Sequence, residues 1–415
     1  MGKKVVLNLI AVLLSFFIFS FGAMAETGVS STEIHIGSFG PMTGPAAMWG
    51  DVVRGSELVF NMINDEGGIH GRKIVYHWFD DRYNPAKTQI HVKSLLETSD
   101  IFAWQGGVGT ETGLAVIDYL SNNKVPWVGP VSGTDQWVTP PRKNVFAIYP
   151  HYYLEAKTLC SYAIDELDKK RVAIVYQNDA YGKSGLKGAA EELALRNMDL
   201  CGAIAVEMTQ NNMASIISQL KKDSVDSVLL WVTHLNAFQI LNKAKKMDFS
   251  PQWMASSTLS DFGLMYKVSR GLIKGLIAAN FADYSNTALL NRYQRGYETY
   301  YHHKKKVLEE EFIDIKMKDY GKHRLNEASG FSWGMNFHAG IAFAEPVVEA
   351  LKRCGRNVTR ERFIEELEGM NDFRGIGPLL NYKPFDVNDP TCRQGTEDVH
   401  LVQCLRGGKI KILTN

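Results

Sequence analysis

The 415-residue chain lacks most of the features that mark enzymes and nucleic-acid-binding proteins. Its charge is almost balanced, 46 Lys and Arg against 45 Asp and Glu. The only sharp charge runs are Lys304–Lys306 and Glu309–Glu311, a pattern that suits a solvated helix face. No basic stripe follows that could track a phosphate backbone, so nucleic acid is not an expected partner. No P-loop, His-Glu-x-x-His or EF-hand pattern occurs, and no cofactor is expected. Cysteine is scarce, at five residues, without a C-x-x-C pair or histidines at ligand spacing, which argues against zinc. Beyond the first 25 residues, no apolar run is long enough to span a bilayer.

The chain has other signals. Lys3 and Lys4 precede an apolar run from Val5 to Gly22, and Ala23 and Ala25 follow at −3 and −1. This is the pattern of a secretory signal cleaved after Ala25, leaving a soluble, exported protein. Export permits disulfides. The expected pairs are Cys160–Cys201 and Cys392–Cys404, with Cys354 free, although sequence does not settle connectivity.

From Glu33 to Phe281, short apolar runs alternate with helical patterns. The expected strands are EIHIGSF, KIVYHWF, IFAWQ, VPWVG, RVAIVY, GAIAV, SVLLWV, QWMAS and GLIAANF. Helices are expected at 51–64, 86–98, 111–123, 153–168, 184–197, 212–222 and 236–246. Such alternation predicts α/β architecture with parallel sheets covered on both faces. The theme appears twice, before about residue 149 and again from about 170, which implies two similar lobes. After residue 283 the pattern changes to helices at 287–318 and around NFHAGIAFAEPVVEALKRCG, with Pro346 inside the second. Short strands are then expected at GIGPLLNY, VHLVQCL and KIKIL, with Arg406–Gly408 as a hairpin turn.

In parallel α/β sheets, ligands sit beyond the carboxyl ends of the strands, beside helix N-termini. Four loops fall at such places: Gly40–Gly50, Gly106–Gly113, Gly129–Trp137 and Gln177–Gly182. Thr110, Ser132 and Thr134 add hydroxyls that suit a carboxylate, although each alone also suits a turn or helix cap. The glycines at 107, 109 and 113 depart from the dinucleotide pattern G-x-G-x-x-G. Gly330–Gly334 matches G-x-S-x-G around Ser332, with Asp372, Asp386 or Asp398 and then His400 in hydrolase order. A nucleophile elbow needs an apolar strand before it, and YGKHRLNEAS is polar, so the exported serine hydrolase is the remote alternative. Asp80 and Asp81 close a strand and suit turn contacts.

Four stretches carry a family resemblance: IGSFGPMTGPAAMWGDVVRGSELVFNMINDEGGIHGRKI, DDRYNPAK, VPWVGPVSGT and VYQNDAYGKSG. The chain resembles the periplasmic substrate-binding proteins of branched-chain-amino-acid-type ABC transporters, which have the type I binding fold. The resemblance implies two Rossmann-like lobes joined by three crossovers. Lobe one would hold 26–149 and 283–381, and lobe two 150–282 and 382–415. It implies no catalysis, a small carboxylate-bearing solute, a monomer in the periplasm, and delivery to ABC permease subunits in the inner membrane. A ligand-sensing subunit of the same fold is the alternative. By similarity, Thr110, Ser132 and Thr134, with the amides of Gly109 and Gly133, would bind the solute carboxylate. Trp49 would lie against the solute side chain, and Tyr181 would cover it on closure. Trp231 is a further aromatic candidate. Amino-acid binders of this family place an acid after the late strand of lobe two, to pair with the ammonium. Here Ser257 and Thr258 stand there, with Asp261 nearby, so an ammonium would lack its anion. The resemblance therefore admits either an amino acid or an aromatic or aliphatic acid.

Overall fold

The computed structural model describes residues 26–209, 212–283, 285–301 and 334–414. The expected signal peptide and Ser332 lie outside the described residues. The first sheet has five parallel strands: β1 (Glu33–Gly40), β2 (Lys73–Asp80), β3 (Ala103–Gln105), β4 (Trp127–Val128) and β5 (Val145–Phe146). Their order is β2-β1-β3-β4-β5. Helices α1 (Asp51–Asp65), α2 (Pro85–Thr98), α3 (Thr110–Leu114) and α4 (Ile117–Asn122) carry the chain between them. The helix expected at 111–123 thus divides in two at Ala115–Val116.

The second sheet repeats the plan. Strands β6 (Val172–Gln177), β7 (Gly202–Val206), β8 (Ser227–Trp231), β9 (Gln252–Ala255) and β10 (Ile277–Asn280) run parallel. Strands β11 (His400–Cys404) and β12 (Ile410–Ile412) join antiparallel at one edge, giving the order β12-β11-β10-β9-β8-β6-β7. Helices α5 (Tyr152–Asp165), α6 (Ala180–Leu195), α7 (Met213–Lys222), α8 (His234–Lys246) and α9 (Phe262–Val268) cover it. Strand β8 is buried along its whole length, as expected of a strand with helices on both faces. Three more helices follow: α10 (Thr287–Tyr301), α11 (Met335–Cys354) and α12 (Arg360–Glu368). Among the described residues, no helix is long and apolar enough to cross a membrane.

Helix α11 returns to the first lobe and packs on α1. The two backbones come close because a glycine stands on each side. A Cβ on Gly55 would lie 2.1 Å from the Phe337 carbonyl oxygen, and one on Gly340 would lie 2.0 Å from the Val52 oxygen. The Ser56 hydroxyl uses this proximity to donate to the Gly340 carbonyl at 2.9 Å.

Two expectations are corrected. GIGPLLNY forms no strand; Phe373 and Leu380 make an isolated bridge instead. Pro378 has no N–H for a ladder, and the Ile376 N–H is taken by the Glu345 carboxylate at 2.8 Å. All five cysteines are free. Cys160 packs with Leu159 and Ala163 in the core around α5, whereas Cys201 packs against the separate core that holds Val206 and Leu220. The Cys392 thiol meets the Asp386 carbonyl at 3.5 Å, and Cys404 sits on β11.

Residues 381–395 run beside β5. Ala147 donates to the Arg393 carbonyl at 2.9 Å and accepts from Gly395 at 2.8 Å. The Arg393 guanidinium is fully buried, lies 4.5 Å from the Phe146 ring centre and pairs with Glu368.

Gly340→Ala should force α1 and α11 apart and lower stability by about 1–3 kcal/mol. Thermal or urea unfolding would detect this, and an unchanged midpoint would refute the close-approach argument.

Candidate functional site

Both parallel sheets turn their carboxyl strand ends toward one cleft. The cleft holds about 460 Å³ of empty space, its mouth included. After β1, the Pro41–Gly50 loop brings in Trp49. This loop is pinned by Asp80, whose carboxylate accepts from Met42 N at 2.9 Å and from the Thr43 hydroxyl at 2.5 Å. Asp81 in turn accepts from Tyr83 N and the Thr88 hydroxyl, both at 2.9 Å, fixing Tyr83 at the cleft wall.

Among the expected site residues, Trp49, Gly109, Tyr181, Ser257 and Thr258 line the cleft. Trp49 bridges the lobes: its indole N–H donates to the Thr258 carbonyl at 3.2 Å. Its ring packs against Tyr83 at 5.2 Å, Tyr181 at 6.0 Å and His234 at 5.8 Å. The neighbouring Met48 sits in the apolar core of the second lobe. The Tyr181 hydroxyl bonds to Ser256 at 2.9 Å and Thr258 at 2.7 Å, and those two hydroxyls share a 2.6 Å bond.

Thr110, Ser132, Gly133, Thr134 and Trp231 stand behind the wall, whereas Gly109 lines it with its backbone already engaged. Gly109 needs its glycine, with φ at 114° and Tyr83 only 2.5 Å from where a Cβ would lie. Its N–H is not free for a solute, because it donates to the Val131 carbonyl at 3.2 Å. The Thr110 and Ser132 hydroxyls are buried and bond to each other at 2.6 Å. Thr134 caps the turn at Gln136, and Gly133 lies under Tyr152, whose N–H donates to its carbonyl at 2.7 Å. Trp231 is fully buried on the core face of β8, against Gly185 of α6. Of the hydrolase candidates, His400 lies on β11 in the second sheet, and Ser332 is outside the described residues.

The wall also contains residues that the sequence did not single out: Tyr83, Tyr149, Tyr152, Phe281, Met335 and Asn336. A cluster of aromatics in YPHYYLEA, just after β5, was the available signal. Below the wall lies Glu155 of α5, 1% exposed. It accepts from the Ser257 N–H at 3.1 Å and shares a second hydrogen bond with the Ser257 hydroxyl. That hydroxyl also meets Tyr149 Oη at 2.5 Å. Burial pushes the Glu155 carboxyl up to about 8. His234, 1% exposed at the start of α8, has no hydrogen-bond partner on either ring nitrogen among the described residues. Burial pushes its pKa down to about 3, so the ring is neutral.

The lobes meet at the cleft rim as well. Ala180 N, at the N-terminus of α6, donates to Glu111 Oε1 of the first lobe at 2.8 Å. Lys187 pairs with Asp135 at 3.2 Å. Trp49, Glu111 and Asp135 thus hold the two sheets in a closed arrangement.

A sequence profile described as "Periplasmic binding protein" matches residues 33–311. The chain is 32% identical over 152 residues to the Leu/Ile/Val-binding protein homolog 3 of Brucella melitensis, covering 36% of this chain and 41% of that one. Against the Leu/Ile/Val-binding protein of Citrobacter freundii the match covers 63% of that protein, so the chain spans less than two thirds of these curated relatives. Its fold is similar to a branched-chain amino acid ABC transporter structure from Thermus thermophilus with bound valine, with TM-score 0.78, 16% identity, 93% of this chain and 96% of that chain covered. It is also similar to a fatty acid ABC transporter substrate-binding protein from Thermomonospora curvata, with TM-score 0.75, 20% identity, 95% and 94% covered.

Tyr181→Phe removes one hydroxyl from the Ser256–Thr258 cluster and should cost about 0.5–1.5 kcal/mol, read by urea unfolding. No loss would mean that the cluster does not help to hold Tyr181 in place.

Proposed function

This chain belongs to the periplasmic binding protein family, and from that premise we propose that it captures a small carboxylate-bearing solute between its lobes and delivers it to an ABC importer. The observation that carries the reading is the cleft wall, in which Trp49, Tyr83, Tyr149, Tyr152, Tyr181 and Phe281 converge from both lobes. Aromatic faces of this kind suit an apolar or aromatic solute body. Closure buries the solute, and the closed form would then dock on permease subunits after export to the periplasm. The binder's role is capture, with no bond made or broken.

Amino acids are the poorer fit. An ammonium needs an anion, and Ser257 and Thr258 stand where the acid would be. Asp261 is not among the residues that line the cleft, and its Oδ1 caps α9 by accepting from Leu264 N at 3.2 Å. Thr110 and Ser132, bonded to each other, do not line the cleft, so the carboxylate of either solute class needs another donor. The valine and fatty-acid neighbours indicate that this fold accommodates solutes with and without an ammonium. We therefore favour an aromatic or aliphatic acid.

The lobe boundaries belong to the same proposal, with one adjustment. Because Arg393 and Gly395 bond to Ala147, the third crossover is better placed after Gly395 than at 382.

A thermal-unfolding screen of the mature protein tests this reading. A true ligand at 100 times its dissociation constant adds about 2.7 kcal/mol of stability. Aromatic or aliphatic acids should raise the midpoint while plain amino acids leave it unchanged. Stabilisation by amino acids alone would overturn the solute class.

A further inference from the structure

Glu155, Ser257 and Tyr149 form a hydrogen-bonded chain that runs from a buried carboxyl to the cleft. They come from three separate parts of the protein: α5, the turn after β9, and the segment after β5. The Ser257 backbone N–H occupies one carboxyl oxygen, so the other meets the Ser257 hydroxyl. The Tyr149 hydroxyl has Ser257 as its one hydrogen-bond partner among the described residues, and its ring lines the cleft.

A chain of hydroxyls has a direction. If Glu155 is ionised, it can only accept. Ser257 must then donate to it and Tyr149 to Ser257, which leaves lone pairs of Tyr149 Oη facing the cleft. If Glu155 is protonated, its O–H donates to Ser257 Oγ, Ser257 donates to Tyr149 Oη, and the Tyr149 O–H is free to point into the cleft. The first state repels a solute carboxylate; the second donates to it. We propose that Glu155 is a positioning residue that, by keeping its proton, makes Tyr149 the hydrogen-bond donor to the solute carboxylate. This rests on the reading of the cleft as a carboxylate-solute pocket, and it supplies the contact that the Thr110 and Ser132 hydroxyls do not.

The surroundings agree with a neutral acid. Among the described residues no Lys, Arg or His pairs with Glu155. The titratable groups that face it are Tyr149, Tyr152 of its own helix and Tyr181 of α6, all pushed upward by burial and neutral. The charged pair on the α6 side, Glu192 with Arg196, sits beside Ser161, more than a helical turn along α5. An unpaired buried carboxylate is costly, and the carboxyl, pushed up to about 8, holds its proton at neutral pH. A bound anion would raise it further.

The test uses infrared spectroscopy and calorimetry on the mature protein, with phenylacetate and the other acids of the screen as probes. A protonated-carboxyl stretch should be present at pH 7, bleach with a midpoint near pH 8, and be missing from Glu155→Gln. Probe affinity should fall tenfold per pH unit well above that midpoint in the parent protein. In Glu155→Gln it should stay flat, because the amide N–H₂ keeps donating to Ser257. Tyr149→Phe keeps the infrared band but should weaken the probe at pH 7 by at least tenfold and flatten its pH profile. A bound acid with a flat profile in the parent protein, or a Glu155 band already bleached at pH 7, overturns this proposal alone. Failure of every acid to bind overturns both it and the proposed solute class.

Discussion

The structure depends on one constraint: parallel strands cannot be joined by tight turns, so each return must cross over the sheet, here as a helix everywhere but between β4 and β5. That rule puts the carboxyl ends of the parallel strands, and the N-termini of the helices that follow them, on the same edge of each sheet. Here it operates twice. Gly40, Gln105, Val128 and Phe146 end strands at the cleft edge of the first sheet; Gln177, Trp231, Ala255 and Asn280 do so in the second. The cleft is therefore a consequence of topology, and its chemistry is decided by whichever residues occupy the few positions after those ends.

The fold was legible in the sequence for the same reason. Strands buried on both faces show as unbroken apolar runs, and VAIVYQ, SVLLW and IAAN needed no context to be read. Legibility failed where local pattern and tertiary demand diverged. GIGPLLNY has strand composition, yet Glu345 takes the Ile376 N–H and Pro378 offers none. The cysteine pairs suited an exported chain, but Cys160 and Cys201 belong to cores on opposite faces of the second sheet.

The site was legible only in part. Trp49 and Tyr181 follow strand ends in loops of distinctive sequence, and both line the cleft. The hydroxyls of Thr110, Ser132 and Thr134 also follow strand ends, but neighbouring hydroxyls and caps satisfy them internally. Nothing in a linear pattern tells a satisfied hydroxyl from a waiting one. Tyr149, Tyr152 and Phe281 were not singled out: a closed cleft buries its wall as completely as a core, at 4%, 3% and 4% exposure, so pocket and core aromatics carry the same pattern.

Glu155 was the hardest residue to see, and it bears most on the electrostatics. The sequence showed a serine where an acid was expected, and an acid 102 positions earlier in a helix. Folding brings the two together, so the carboxyl is absent from the wall but one hydroxyl behind it. That displacement changes its chemistry. An acid at the wall can be offset by a solute cation and will stay ionised. An acid behind the wall meets only dipoles, here an amide N–H and a hydroxyl, and dipoles alone do not offset full desolvation of a charge. Holding the proton is the cheaper state, and a protonated acid orders the hydroxyls in front of it in one direction. The same residue type, moved back by one side chain, thus turns a site suited to cations into one that offers a hydrogen-bond donor to anions.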